Sequence, residues 1–268
     1  ASLQHGDWRE AEYRYRLASE TAEKAGDGAL QRALARGMAQ LLMAWHRLDD
    51  AAACLMKAID RSEGCSPSDR ILQARIQMEK GANDRAEKLL SGEGWKPEGE
   101  LEAQNMALAL AALRFALGQA TEARSILADL GKDSLHPLQQ ASRLHLLSKL
   151  SEDEGRLDDA VRQAREAARL FSAQGERNGL AGSLRMAGVL EAALGRHGPA
   201  MELFREAMVI QAGLRNFTGL RRSMEAARAL LDTREDGRDD AAFLGRLLDG
   251  IENTESYKDT TEGTAPRL

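Results

Sequence analysis

Small residues recur along the chain in a fixed order that organises the whole sequence. A glycine, or His46 in its place, is followed five residues later by an alanine and, in four of six units, by another alanine seven residues further on. The central alanines are Ala11, Ala51, Ala86, Ala123, Ala160 and Ala200. They lie 40, 35, 37, 37 and 40 residues apart. A period of this size predicts a chain built from stacked structural repeats.

Each unit predicts two helices separated by a turn at the glycine. Glycine readily adopts the left-handed conformation that ends a helix, and alanines seven residues apart lie on one stripe of the second helix. Ser66 before Pro67 and Ser134 before Pro137 predict helix starts with a serine N-cap. Further helix ends are predicted at Gly26, Gly92, Gly131, Gly175 and Gly213. Residues 91–100, which include Trp95, predict an irregular loop.

This pattern resembles the tetratricopeptide repeat (TPR) between Leu3 and Ile251, with the best match from Gly155 to Leu231. The resemblance implies an all-α, TPR-like solenoid of helical hairpins, a right-handed superhelix of about six to seven repeats. The solenoid is expected over 1–251 and a disordered polar tail over 252–268. Helix-turn-helix units are expected near 1–26, 29–62, 66–92, 100–131, 134–175, 177–213 and 217–251. The spacing exceeds the roughly 34 residues typical of the family and looks like the long repeats of bacterial regulators and signalling scaffolds.

Composition agrees with a packed helical protein. Hydrophobic residues make up 43% of the 268 residues and charged residues 29%, while proline occurs five times. The formal net charge of −5 gives no reason to expect nucleic acid as a partner. The longest nearly apolar stretch, Ala107 to Leu113, is far too short for a membrane span. With no signal peptide visible and no initiator Met, a cytoplasmic location is expected.

No pattern in the sequence indicates catalysis. Phosphate-binding loops, nucleophile elbows, zinc-protease and EF-hand motifs are all absent from the sequence, and no two of the five histidines stand four residues apart as a ligand pair on one helix would. The acidic pairs Asp49-Asp50 and Asp158-Asp159 precede repeat alanines, where they favourably meet a helix dipole. Cys54 and Cys65 form no metal or disulfide motif. We therefore predict no enzyme, no metal and no cofactor.

The resemblance also implies which residues face a partner, because in TPR proteins the first helix of each repeat lines the concave surface. Counting from the repeat glycine places twelve side chains there: Arg36, Gln40, Met43, Arg75, Met78, Asn105, Leu108, Phe115, His145, Lys149, Arg185 and Val189. Ile71 and Glu152 fall at equivalent places. Four bases against one acid predict a groove that binds an acidic extended or helical segment of a partner protein.

Three readings of the function follow. The first is a protein–protein interaction scaffold or adaptor that holds a partner in the concave groove. The second is the sensor arm of a larger bacterial transcriptional or signalling regulator, and the third is a non-catalytic portion of a multidomain enzyme. The first helix lacks the helix that would precede it, so an N-terminal continuation or a partner is expected to cover Trp8, Tyr13 and Tyr15.

Overall fold

The computed structural model describes residues 8–45, 47–60, 65–91, 97, 99–130, 135–214, 216–233, 237 and 240–248. Twelve α-helices follow one another in this part of the chain: α1 Trp8–Ala25, α2 Gly28–Ala44, α3 Leu48–Asp60, α4 Pro67–Glu79, α5 Asn83–Ser91, α6 Glu100–Ala116, α7 Ala120–Asp129, α8 Pro137–Asp153, α9 Leu157–Ala173, α10 Arg177–Ala193, α11 His197–Gly213 and α12 Phe217–Asp232. Residues 240–248 are also helical, and the described residues contain no strand. Trp95, His46, the side chain of Trp8 and the tail 252–268 lie outside the described part. The predicted all-α solenoid of helical hairpins is confirmed.

The repeat glycines end helices as predicted. Gly155 has a φ of +73°, its amide donates to the Glu152 carbonyl, and the Arg156 amide donates to the Ser151 carbonyl at 2.8 Å. These are the bonds of a Schellman-type helix end, which favours glycine because the conformation is left-handed. Gly26 and Gly175 end helices in the same way. The predicted stops Gly92 and Gly131 lie outside the described residues.

Three other predicted helix boundaries lie at the start of α4, the start of α8 and the end of α11. Ser66 caps α4 through a capping box with Asp69, and Pro67 occupies the first turn. The cap of α8 is His136, whose Nδ1 accepts from the Leu138 amide, and not the predicted Ser134. Gly213 is the last residue of α11, but the cap is Leu214 in a right-handed conformation, so this end needs no positive φ.

The helices pair as antiparallel neighbours along the chain. The hairpins are α2–α3, α4–α5, α6–α7, α8–α9 and α10–α11. Within the first predicted unit, 1–26, the described residues form the single helix α1, which ends at the Gly26 turn. The repeat alanines are fully buried between helices at Ala51, Ala86, Ala123, Ala160 and Ala200. Their small side chains allow the close helix approach that the period predicts.

Three helix contacts depend on glycines inside helices. A Cβ at Gly37 would lie 2.5 Å from the Tyr15 hydroxyl oxygen, and a Cβ at Gly188 would lie 2.7 Å from the ring of Phe204. The ring of Phe171 lies equally close to the Cβ position of Gly179. In each case an aromatic ring of a neighbouring helix lies where a side chain would begin, which only glycine permits.

The first helices of successive hairpins form a layer that closes on itself. Each of these inner helices contacts the next, in the order α2, α4, α6, α8, α10 and α12, and α12 contacts α2. The second helices of the hairpins lie outside this ring and contact mainly the inner helices beside them. The inner helices therefore line the concave side, as the repeat pattern predicts. No helix in the described residues has the length and hydropathy needed to cross a membrane.

Candidate functional site

Five of the predicted partner-facing residues contribute instead to packing between helices. Met43 and Met78 pack against the clusters at α2–α4 and α4–α6, and Phe115 packs at the α6–α7 hairpin. Val189 lies against the cluster around Phe204. Leu108 is the clearest correction, because its side chain is only 8% exposed and belongs to the core. A residue buried to that extent stabilises the fold and offers little surface to a partner.

Three further predicted residues tie neighbouring inner helices together by polar contacts. Arg36 Nη1 lies 3.1 Å from the buried carboxylate of Asp69, and Asn105 Oδ1 accepts from Gln139 Nε2 at 3.0 Å. His145 Nδ1 lies 3.1 Å from Ser183 Oγ. Similar contacts join Ser68 to Glu102 and Asn178 to Asn216. Because each contact joins residues one repeat apart, these contacts fix the register of the inner layer.

Lys149 and Arg185 stand apart from the other predicted residues. They lie on α8 and α10, both are partly buried, and within the described residues no carboxylate lies within 4 Å of either. Arg222 of α12 is close enough for its charge to act on both. These three cations come from three consecutive inner helices.

Two carboxylates border these cations. Glu152 lies on α8, and Glu79, at the end of α4, approaches Arg222 with an Nη2–Oε2 distance of 3.9 Å. We call Lys149, Arg185, Arg222, Glu79 and Glu152 the inner charge cluster. It contains three positive and two negative groups. Gln40 and Arg75, also predicted for this face, are exposed.

The pKa values of the cluster report burial and crowding of like charges. Burial, followed by the charge of Arg185, lowers the pKa of Lys149, and burial, followed by the charge of Arg222, lowers the pKa of Arg185. Burial raises the pKa of Glu152 although Lys149 and Arg185 oppose that shift. The cations thus repel one another in a partly desolvated place, and an added negative group would relieve that repulsion.

His145 lies one helical turn before Lys149 on α8 and contacts Ser183 of α10. Burial, with smaller contributions from Lys149 and Arg185, lowers its pKa to about 3. The imidazole is therefore neutral at pH 7, and its role is the contact with Ser183. It contributes no charge to ligand binding near neutral pH.

No group of three or more His, Cys, Asp and Glu side chains in the described part of the chain is placed to hold a metal ion. Cys54 and Cys65 are free thiols, and burial raises the pKa of both, which disfavours the reactive thiolate.

Sequence reasoning did not find Arg222 and Glu79. Arg222 follows Arg185 by 37 residues, within the 35–40 residue spacing of the repeats, so the spacing brings it near the equivalent place in α12 without singling it out. No repeat spacing indicates Glu79, because its approach to Arg222 depends on the contact between the last inner helix, α12, and the first, α2. The glycines at 37, 179 and 188 were also missed, since their role depends on an aromatic residue in another helix.

Comparison with known proteins supports the fold and leaves the family open. No protein-family model matches the chain, and no curated protein matches it by sequence. Among solved structures, a similar chain comes from the crystal structure of the APC/C hetero-tetramer Cut9-Hcn1, with a TM-score of 0.60 and 12% sequence identity. The similarity covers 93% of this chain and 47% of that chain, so this chain spans about half the length of that neighbour. The chain therefore has a TPR-like helical repeat fold.

Proposed function

We propose that this solenoid is a non-catalytic scaffold that binds an acidic segment of a partner protein at the inner charge cluster. The observation that carries the proposal is the pair Lys149 and Arg185, two partly buried cations without a carboxylate within 4 Å in the described residues. Such cations gain from charge-assisted contacts with carboxylates. A TPR-like fold suits protein partners in general, and the structural neighbour comes from a hetero-tetramer.

The closed inner layer favours an extended segment over a helical one. Packed helices commonly have axes about 8–10 Å apart, so a ring of six would place each axis about 8–10 Å from its centre. Since side chains reach about 5–6 Å from each axis, such a ring leaves a space of at most about 10 Å across. An α-helix with its side chains is about 10–12 Å wide. We therefore infer that the partner enters as an extended chain or presents a single side chain.

The test reverses the charges of Lys149 and Arg185. The double variant Lys149→Glu/Arg185→Glu should bind the partner captured from a lysate of the source cells well over tenfold more weakly, because each lost charge-assisted contact costs about 1.5–3 kcal/mol. Titration calorimetry on the recovered partner measures the change. Added salt should weaken the wild-type complex, since exposed charges are screened over about 8 Å at physiological ionic strength.

A matched control uses two bases of the outer helices. Lys88 of α5 and Arg205 of α11 are exposed, and neither makes an ion pair within the described residues. The variant Lys88→Glu/Arg205→Glu changes the net charge equally and should retain the wild-type affinity. Equal weakening by both double variants would indicate a general effect of net charge and would defeat the proposal. Circular dichroism of both variants verifies that the fold is intact.

A further inference from the structure

Arg222 and Glu79 bring opposite edges of the inner layer together. Arg222 belongs to the last inner helix and Glu79 to the second, and they approach each other because α12 lies against α2, which in turn contacts α4. The distance of 3.9 Å is at the long end for an ion pair, and both side chains are about half exposed. Such a pair contributes little to stability, about 0–1 kcal/mol. It is therefore easily exchanged for a better anion.

There is room beside the cations for another group. Gly182 lies one turn before Arg185 on α10, and a Cβ placed there would have no heavy atom within 4 Å apart from its own helix backbone and chain neighbours. Residues three apart on a helix share a face, so this open space borders Arg185. By contrast, Gly188 on the same helix is covered by Phe204.

We propose that Lys149, Arg185 and Arg222 together bind one oxyanion group, a carboxylate or a phosphate, and that this group replaces Glu79 as the anion facing Arg222. The proposal deepens the proposed function and rests on it, since the acidic partner would carry the oxyanion. Glu79 acts as the internal anion that occupies Arg222 when no ligand is bound. Two guanidinium groups and an ammonium group suit an oxyanion because arginine offers paired N–H donors to two oxygens at once.

Small anions test the site without a partner. Inorganic phosphate and citrate are titrated into the full chain by calorimetry at low ionic strength, where exposed charges are least screened. Arg222→Gln should weaken binding of the better probe by about tenfold or more, as expected for loss of one charge-assisted contact. Arg205→Gln, which removes an arginine from an outer helix, should leave binding unchanged.

Two variants separate a ligand site from a structural ion pair. Glu79→Gln should tighten binding by about threefold, because it removes the competing internal anion. If the pair were only structural, Arg222→Gln and Glu79→Gln would change stability in the same direction, and neither would improve binding. Gly182→Leu should block binding by filling the open space while leaving thermal stability unchanged or higher. Melting temperatures of all variants check the fold.

The outcomes distinguish this inference from the proposed function. Equal binding of the probes to wild-type protein and Arg222→Gln, or no tightening in Glu79→Gln, overturns the oxyanion site. If the captured partner binds through Lys149 and Arg185 but neither phosphate nor citrate binds, the scaffold function stands and the single-group site is wrong. Competition of phosphate, but not citrate, with the captured partner would identify the group as phosphate, and the reverse would identify a carboxylate.

Discussion

The hairpins α8–α9 and α10–α11 differ from the hairpins α4–α5 and α6–α7 chiefly in their outer helices. Helices α8, α9, α10 and α11 each contain 17 residues, whereas the outer helices α5 and α7 contain 9 and 10. Of the inner helices of the shorter hairpins, α6 contains 17 residues and α4 contains 13. The inner layer thus continues through both regions while the outer layer becomes thinner. Closing the ring requires inner helices throughout, but outer helices of any length can cover them.

The longer outer helices bury more apolar surface. Helix α9 buries six residues, including Ala160, Ala164 and Phe171, whereas α5 buries only Ala86 and Leu90. Burial of apolar surface contributes about 25 cal/mol per Å², so the α8–α11 region should be the more stable. Lys149 of α8 and Arg185 of α10 lie in this region, so we expect its packing to hold both side chains in place.

The largest expected effect comes from filling the contact between Gly188 and Phe204. Gly188→Leu places side-chain atoms where the ring lies 2.7 Å from the Cβ position, so we expect a loss of about 3 kcal/mol in the free energy of unfolding, from overpacking. Gly182→Leu is the matched control on the same helix, and it should cost nothing because its Cβ position is open. Urea unfolding of the two variants measures the difference. Equal midpoints would mean that Phe204 can move aside and that the region is not firmly packed.

The repeat architecture was accessible from the sequence because it depends on local chemistry. Gly155 and Gly195 end helices through their own backbone conformation, and Ala160 and Ala200 pack closely because their side chains are small. Such signals recur at each period and reinforce one another. The expectation that the first helix of each hairpin lies on the concave side came from the resemblance to the TPR family and not from such local signals.

The candidate site could be predicted from the sequence only in part, because it depends on distances between residues of different repeats. Lys149 and Arg185 were identified by counting from the repeat glycine, but the same count also selected Leu108, which the core buries. One helical position separates a side chain that faces the concave space from one that faces the next helix. Arg222 and Glu79 come together only because α12 returns to α2, and no local pattern encodes that closure.

Mild acid should weaken the contact between α8 and α10. The pKa of His145 is about 3 in the folded protein, below the usual 6.5, so below pH 6.5 the unfolded chain binds a proton that the folded chain does not. Stability is therefore lost as pH falls from about 6.5 towards 3, and this group contributes no change above 6.5. Between pH 7 and pH 5 the expected loss is about 2 kcal/mol, at 1.36 kcal/mol per pKa unit.

Urea melts at several pH values measure this loss, and His145→Gln serves as the comparison because it removes the titrating group. The variant should lose the extra slope below pH 6.5 whatever its stability at pH 7. The contact between Asn105 of α6 and Gln139 of α8, which joins the two regions, has no titratable group, so hydrogen exchange should show α8–α10 opening before α6–α8 as pH falls. Identical slopes for wild type and variant would mean that His145 is protonated in the folded protein.

The smallest expected effect concerns the ion pairs at the turn of the long hairpins. Glu191 is a buried carboxylate, with its side chain 5% exposed, and it lies 2.7 Å from Arg165 Nη2 and 3.2 Å from Arg196 Nη1. Both arginines are about half exposed, so water can solvate them when the carboxylate charge is lost, and Arg196 also keeps its pair with Asp158. Glu191→Gln should therefore reduce the free energy of unfolding by only about 1 kcal/mol, near the upper limit for exposed pairs.

Arg114 and Glu87 form the comparable contact of the short hairpins, at 2.7 Å, with the carboxylate more exposed. Glu87→Gln should cost less than Glu191→Gln, and urea melts of the two variants in low and high salt measure both losses. A larger loss of stability in Glu87→Gln than in Glu191→Gln would contradict this expectation. It would mean that ion pairs stabilise the short hairpins in place of the apolar burial that their short outer helices lack, and the expected difference in stability between the two regions would not hold.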